Sequence, residues 1–181
     1  MKKVLYIFGQ LNDQDIEWLV ANGQKLRLKT GDVLVAKGAE NRYLYIILEG
    51  SFAVLAGKDD SFKVASLGSG EIVGEMSFVD GTPPQTTVKA EMASDVFAIP
   101  KSRIEANIAA NQGFGLRLYR ALSLFLANRL RETTNKYSGN DQSENADDGA
   151  LDIDELDTIT ADSVAEAGNR FSRLLAKMQA L

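Results

Sequence analysis

The sequence predicts a mainly β fold with flanking helices, in which a compact antiparallel sandwich or barrel is followed by a long helix. Apolar residues alternate with a period of two over much of residues 24–100, whereas the residues on either side follow helical spacing. Glycines punctuate the alternating segment at close intervals, as is typical of short strands joined by tight turns rather than of βαβ units. They are Gly31, Gly38, Gly50, Gly57, Gly68, Gly70 and Gly81.

Helices are predicted on both sides of the β segment. At the start, Ile16 and Leu19 fall near helical spacing and Asn12 is a suitable N-cap. After the strands, helical spacing returns over about residues 102–110 and then over a long stretch of about residues 114–137.

The long helix carries an apolar stripe that needs a partner. The stripe consists of Leu118, Leu122, Phe125 and Leu126, and the arginines of this helix, Arg129 among them, are assigned to other faces. The stripe can pack against the chain's own barrel, or it can form the seam of a parallel helix pair in a homodimer. The sequence leaves both possibilities open.

The C-terminal part of the chain is acidic. Ten acidic residues and no Lys or Arg occur between Ser138 and Gly168. We therefore predict a domain over residues 1–137, an acidic flexible linker over 138–160, and an amphipathic C-terminal helix over 161–181 that docks on the body, on a twin subunit or on another protein. An acidic arm repels DNA and anionic membrane surfaces, so neither is an expected partner.

Composition excludes several kinds of chemistry. The 181 residues contain no histidine and no cysteine. The usual general base of neutral-pH catalysis, thiol nucleophiles and the commonest transition-metal ligands are therefore missing, and we expect neither an enzyme nor a metal site. No apolar run has the roughly 18 residues of a membrane span and the N-terminus does not resemble a secretory signal, so a cytoplasmic location is expected.

A candidate anion site follows Gly74. This glycine permits a close backbone approach, and residues 75–78 can form one helical turn whose free amides would face an anion, with the Glu75 carboxylate beside it. A carboxylate next to a phosphate is costly unless it accepts hydrogen bonds, for example from a sugar hydroxyl. An ordinary barrel corner explains the same residues.

Three segments of the chain carry a resemblance to a known domain: Gly31-Asp32-Val33-Leu34, Leu44-Tyr45-Ile46-Ile47-Leu48-Glu49-Gly50 and Leu67-Gly68-Ser69-Gly70-Glu71-Ile72-Val73-Gly74-Glu75-Met76-Ser77. They resemble the cyclic nucleotide-binding domain that bacterial catabolite activators, protein-kinase regulatory subunits and gated channels share. The similarity extends over about residues 5–137. It implies an eight-stranded antiparallel β-roll, a phosphate-binding cassette, and a following helix that moves or dimerises when ligand binds.

The resemblance also implies a set of ligand-binding residues: Gly74, Glu75, Met76, Ser77, Gln85, Thr86, Thr87, Thr133 and Thr134. Glu75 stands where the family's glutamate holds the ribose 2′-hydroxyl. Thr133 and Thr134 stand where bacterial activators place hydroxyls against the purine, although they also read as exposed hydroxyls at a helix end.

The chain departs from the family pattern at Pro84, which stands where the family has its phosphate-binding arginine. Gln85 and the two following threonines can donate hydrogen bonds, but they restore no charge. Losing a bidentate arginine contact weakens binding by roughly tenfold to a thousandfold, so binding of cAMP or cGMP is expected to be weak or absent.

The expected function is that of a non-catalytic regulatory module. It would sense a nucleotide-like ligand through a degenerate cassette and signal through its C-terminal helices to a protein partner or a twin subunit. No basic winged helix-turn-helix follows the long helix, so the chain is more similar to stand-alone bacterial members than to DNA-binding activators. The alternative is a ligand-free interaction scaffold or adaptor on the same fold.

Overall fold

The computed structural model describes residues 8–137, 168–169 and 172–173. Residues 8–10 are helical, and a short 3-10 turn spans Lys58–Asp60. The helices are α1 (Asp13–Asn22), α2 (Glu75–Val79), α3 (Lys101–Ala110) and α4 (Gln112–Tyr137). The strands are β1 (Gln24–Leu28), β2 (Val33–Val35), β3 (Tyr43–Glu49), β4 (Ser51–Ala56), β5 (Phe62–Gly68), β6 (Ile72–Val73), β7 (Thr87–Ala90) and β8 (Ser94–Pro100).

The eight strands form two four-stranded sheets, with strand orders β1-β8-β3-β6 and β2-β7-β4-β5. Every pair is antiparallel. In the first sheet Tyr45 lies opposite Ala98, and in the second Val54 lies opposite Val88. The predicted eight-stranded antiparallel β-roll with a long following helix is confirmed.

Two separate hydrophobic clusters hold the elements together. The sandwich core lies between the sheets and the helical core lies between the first sheet and the helices. Strand β8 serves both because successive side chains point to opposite faces: Val96 and Ala98 belong to the sandwich core, whereas Phe97 and Ile99 belong to the helical core.

The N-terminal helix is fixed to α4 by a buried ion pair. Asn12 caps α1 in a capping box with Asp15, as the sequence predicts for the cap, each backbone N–H donating to the other side chain at 2.9 Å. Arg117 of α4 donates to both oxygens of the same aspartate, at 2.6 and 2.8 Å. The carboxylate of Asp15 therefore joins two helices that are far apart in sequence.

The apolar stripe of α4 packs against the chain's own body. Leu118, Leu122 and Phe125 are buried in the helical core and Leu126 packs against it. Of the two possibilities for these four residues, the structure shows packing against the chain's own body, so their side chains are not available for a dimer seam. The opposite face of α4 instead presents Leu116, which is 74% exposed.

Most of the predicted linker and C-terminal helix lies outside the described residues. Residues 168–169 and 172–173 are helical, and Arg173 Nη1 lies 3.4 Å from Asp13 Oδ2 of α1. Among the residues that are described, the helices are too short or too polar to traverse a bilayer.

Candidate functional site

A cavity of about 300 Å³ lies where the second sheet meets α2 and the C-terminal half of α4. Its wall is mostly apolar: five of the eight strands contribute aliphatic side chains, and the loop before β7 adds two prolines. The lining residues are Val35, Val54, Ala65, Leu67, Val73, Gly74, Glu75, Met76, Ser77, Thr82, Pro83, Pro84, Gln85, Thr86, Val88 and Arg129.

Gly74 makes the turn from β6 into α2. Its φ is +91°, in the region that favours glycine, and a Cβ there would lie 2.8 Å from the backbone oxygen of Tyr43 and 2.4 Å from Asn41 Nδ2. No side chain fits this position without moving the backbone. The glycine thus brings the first turn of α2, with Glu75, against the cavity.

Glu75 is a buried carboxylate paired with an arginine from the long helix. It is 2% exposed, and Arg129 Nη1 donates to its Oε1. The Arg129 guanidinium also lies over the ring of Phe125, 5.4 Å from its centroid. Burial raises the pKa of Glu75, while the charge and hydrogen bond of Arg129 act to lower it.

Behind the cavity, Ser77 joins α2 to the start of α3. Lys101 Nζ donates to Ser77 Oγ at 2.9 Å, and this hydroxyl donates to the Gly74 carbonyl at 3.3 Å. Lys101 is 9% exposed. Its burial lowers its pKa, against the opposing attraction of Glu105, Glu75 and Asp80.

The loop before β7 closes one side of the cavity. The carbonyl of Pro84 accepts from the Gly38 backbone N–H at 2.8 Å, and Gln85 Nε2 donates to the Pro83 carbonyl at 3.3 Å. The buried hydroxyl of Thr87 accepts from the backbone N–H of Lys37 at 3.3 Å. The polar groups offered for a phosphate are thus partly engaged within this corner of the fold.

The cavity brings together six of the nine residues singled out in the sequence: Gly74, Glu75, Met76, Ser77, Gln85 and Thr86. Thr87, Thr133 and Thr134 are not among its lining residues. The hydroxyls of Thr133 and Thr134 are exposed and donate to the backbone carbonyls of Arg129 and Leu130, at 2.8 and 2.9 Å.

Sequence reasoning missed Arg129 as a site residue because it assigned the arginines of α4 to faces away from the apolar stripe. A signal was present: Arg129 lies four residues after Phe125 and therefore above it on the same helical face. The buried position of Lys101 has no comparable signal, because lysine is rarely buried and the first residue of a helix is usually exposed.

Comparisons with known proteins agree on the fold. The family model for the cyclic nucleotide-binding domain matches residues 25–111. The chain is 29% identical over 128 residues to the cAMP-activated global transcriptional regulator CRP of Escherichia coli, covering 68% of this chain but 59% of that protein. The chain thus spans about three fifths of the length of these curated relatives.

Two solved structures share the architecture. A cyclic nucleotide-binding domain from Methylobacillus flagellatus has a TM-score of 0.68 at 22% identity, covering 80% of this chain and 86% of that one. The regulatory subunit of a cAMP-independent protein kinase A from Trypanosoma brucei has a TM-score of 0.57 at 21% identity, covering 72% and 44%.

Proposed function

We propose that this chain, whose residues 25–111 belong to the cyclic nucleotide-binding domain family, is a non-catalytic regulatory module that binds a small nucleotide-like ligand beside Glu75 and reports its presence through α4. Its relative from Escherichia coli is described as a cAMP-activated transcriptional regulator, a name that describes regulation rather than catalysis.

The ion pair between Glu75 and Arg129 is the observation that supports this proposal. Glu75 lies in the cavity wall on α2, and its partner lies 54 residues later on α4. A ligand group that donates a hydrogen bond to the Glu75 carboxylate competes with the guanidinium for the same oxygens. Cavity occupancy and the position of α4 are therefore energetically linked, and a ligand shifts the helix between two arrangements by its differential affinity for them.

The test is a titration of the protein with cAMP, cGMP and cyclic dinucleotides, in which binding is monitored by calorimetry and by the melting temperature. We expect weak, saturable binding that raises the melting temperature with the logarithm of ligand concentration once this exceeds the dissociation constant, and the loss of this rise in Glu75→Ala. Glu49→Ala removes an exposed carboxylate at the end of β3 and serves as control. A rise that Glu75→Ala leaves unchanged would contradict the assigned site.

Binding of cyclic phosphates is expected to be weak. Pro84 occupies the cavity wall where a cationic side chain would neutralise a phosphate. Relative to a site with a bidentate arginine, we expect binding weaker by roughly tenfold to a thousandfold.

A second candidate function is a ligand-free interaction scaffold. The intramolecular Glu75–Arg129 pair favours it, because the carboxylate of the cavity already has a partner in the chain itself. Under this alternative, none of the nucleotides gives heat, and deletion of residues 161–181 abolishes partner capture while the body stays folded. Capture that survives the deletion would reject the C-terminal segment as the docking element.

The exposed face of α4 supports a revised version of the homodimer proposal. Leu116, Ser123 and Leu130 are exposed and recur every seven residues, as in one seam of a two-helix coiled coil. We expect Leu116→Glu combined with Leu130→Glu to convert a dimer into a folded monomer in sedimentation. The contrasting variant is Leu122→Glu, which introduces a charge into the helical core and should unfold the chain. A wild-type monomer would refute the seam.

A further inference from the structure

We infer that the cavity beside Glu75 selects an uncharged, largely apolar ligand with a hydrogen-bond donor, and discriminates against anions. The inference rests on the proposed ligand-binding function and restricts it to ligands without the negative charge of a nucleotide phosphate. Three features support it: the charged side chains that face the cavity are paired with each other, the Glu75 carboxylate is buried, and most of the wall is apolar.

The described residues that line the cavity present two charged side chains, Glu75 and Arg129, and these are paired with each other. Other nearby cations are engaged elsewhere. Lys101 Nζ donates to Ser77 Oγ behind α2, and Lys37 Nζ donates to the Gly57 carbonyl at 3.1 Å. An anion entering this space would therefore lose its hydration without meeting an uncommitted positive side chain in the lining.

An anion that binds Arg129 shares a single positive charge with Glu75, whose Oε1 accepts from Nη1. The carboxylate, which is 2% exposed, then faces a second negative charge with less compensation from its cationic partner. The amides at the start of α2 offer limited compensation, because a helix of five residues presents partial charges rather than the full charge of a guanidinium. A neutral ligand adds no second negative charge, and where its hydroxyl or N–H competes with Arg129 it still leaves Glu75 with a hydrogen-bond donor.

The rest of the wall suits an apolar body. Aliphatic side chains from β2, β4, β5, β6 and β7 face the cavity, and Pro84 extends this surface where an arginine would make it cationic. A volume of about 300 Å³ is at the lower end for small-molecule sites and fits a ligand of two or three fused or linked rings.

The experiment compares two fluorescent probes that share one ring system. N-phenyl-2-naphthylamine is neutral, and 6-anilinonaphthalene-2-sulfonate adds one sulfonate on the far side of the ring system; both carry the same N–H donor. We expect the neutral probe to bind saturably, with one site per chain, and the sulfonate to bind at least tenfold more weakly. Pro84→Arg should reduce or reverse the preference for the neutral probe over the sulfonate, because it supplies a cation that is not paired with Glu75.

A matched pair of variants locates the binding. Ala65 lines the cavity from the exposed strand β5, and Ser66 follows it on the other face of the same strand. Ala65→Phe fills the cavity and should abolish probe binding with little change in melting temperature. Ser66→Phe adds the same ring outside the cavity and should leave binding unchanged.

The remaining outcomes separate the two proposals. If the two probes bind with equal affinity, or the sulfonate binds more tightly, the charge selectivity is overturned. If Ala65→Phe also abolishes that binding, the cavity remains the ligand-binding site. Binding of the neutral probe that resists Ala65→Phe would overturn the assignment of this cavity. Absence of binding by either probe and by all the cyclic nucleotides would overturn the inference and the sensor function together.

Discussion

Replacing Arg129 by methionine measures how much the ion pair in the cavity wall stabilises the ligand-free protein. Methionine keeps a long, flexible side chain with high helix propensity and retains contact with Phe125, but it removes the charge. Glu75 then stays buried among the same neighbours without its cationic partner. The variant therefore measures the cost of leaving this carboxylate unpaired, together with the smaller loss of the guanidinium contact with the Phe125 ring.

We expect the free energy of unfolding at pH 7.5 to fall by about 2 to 3 kcal/mol, somewhat less than the roughly 3 to 5 kcal/mol for breaking a fully buried pair. The lower figure reflects the Arg129 side chain, which is 28% exposed, and the open cavity beside it. For a chain of this size, such a loss lowers the melting temperature by about 4 to 12 °C.

The loss should depend on pH. Burial raises the pKa of Glu75 above its ordinary 4.5, and Arg129 counteracts that rise. A carboxyl whose pKa is higher in the folded state binds more protons when folded, so stability falls as pH rises from the unfolded pKa through the folded one. Without Arg129 the folded pKa rises further. The difference in unfolding free energy between wild type and variant is then largest at neutral pH and becomes smaller as pH falls toward 4.5.

Urea unfolding between pH 5 and pH 8, followed by circular dichroism, gives the required free energies. Arg131→Met removes an exposed arginine two positions further along α4 and is the control. Glu75→Gln combined with Arg129→Met should restore most of the lost stability, because no buried charge remains. The reasoning is refuted if Arg129→Met is as stable as Arg131→Met at pH 7.5 and the difference stays flat with pH.

Two further variants test other parts of the structure. Gly74→Ala should destabilise the protein by about 2 kcal/mol in urea unfolding, because its φ of +91° and its contact with Tyr43 exclude a Cβ; Gly68→Ala, with open space around it, should cost much less. Asp95→Asn should lower stability at pH 7 by about 1 kcal/mol, since Arg27 and then Lys25 depress the pKa of Asp95 to about 2, while solvent screens the exposed Arg27 and the partly exposed Lys25. The Asp95 contribution is present above pH 3.8 and lost as pH falls through about 2, so a difference that persists at pH 2 would contradict this account.

The β-roll was predictable because its signals are local and strong. Alternating apolar residues fix which face of each strand is buried, and glycines mark the turns between them. The partner of an apolar helix face was not predictable in the same way. Leu122 reads equally well as a core residue or as a seam residue, because periodicity identifies a buried face without identifying what covers it.

The candidate site was predictable only in part. Gly74 and Glu75 stand out through their resemblance to a known cassette, and the structure brings both to the cavity. The partner of Glu75 was missed, because an ion pair across 54 residues depends on how α4 lies against the roll. Lys101 was missed for the same reason, since its contact with Ser77 depends on the packing of α3 behind α2.

The division into two cores bears on the order in which the chain assembles during synthesis. The buried residues of the sandwich core lie between Leu28 and Ala98, whereas the helical core also needs residues from both ends of the described body, including Phe8 and Phe125. The roll can therefore close while α4 is still inside the ribosome, leaving the outer face of its first sheet covered only in part, by α1, until that helix emerges. We expect the docking of α4 to be the last cooperative step, and it is the same step that brings Arg129 to Glu75.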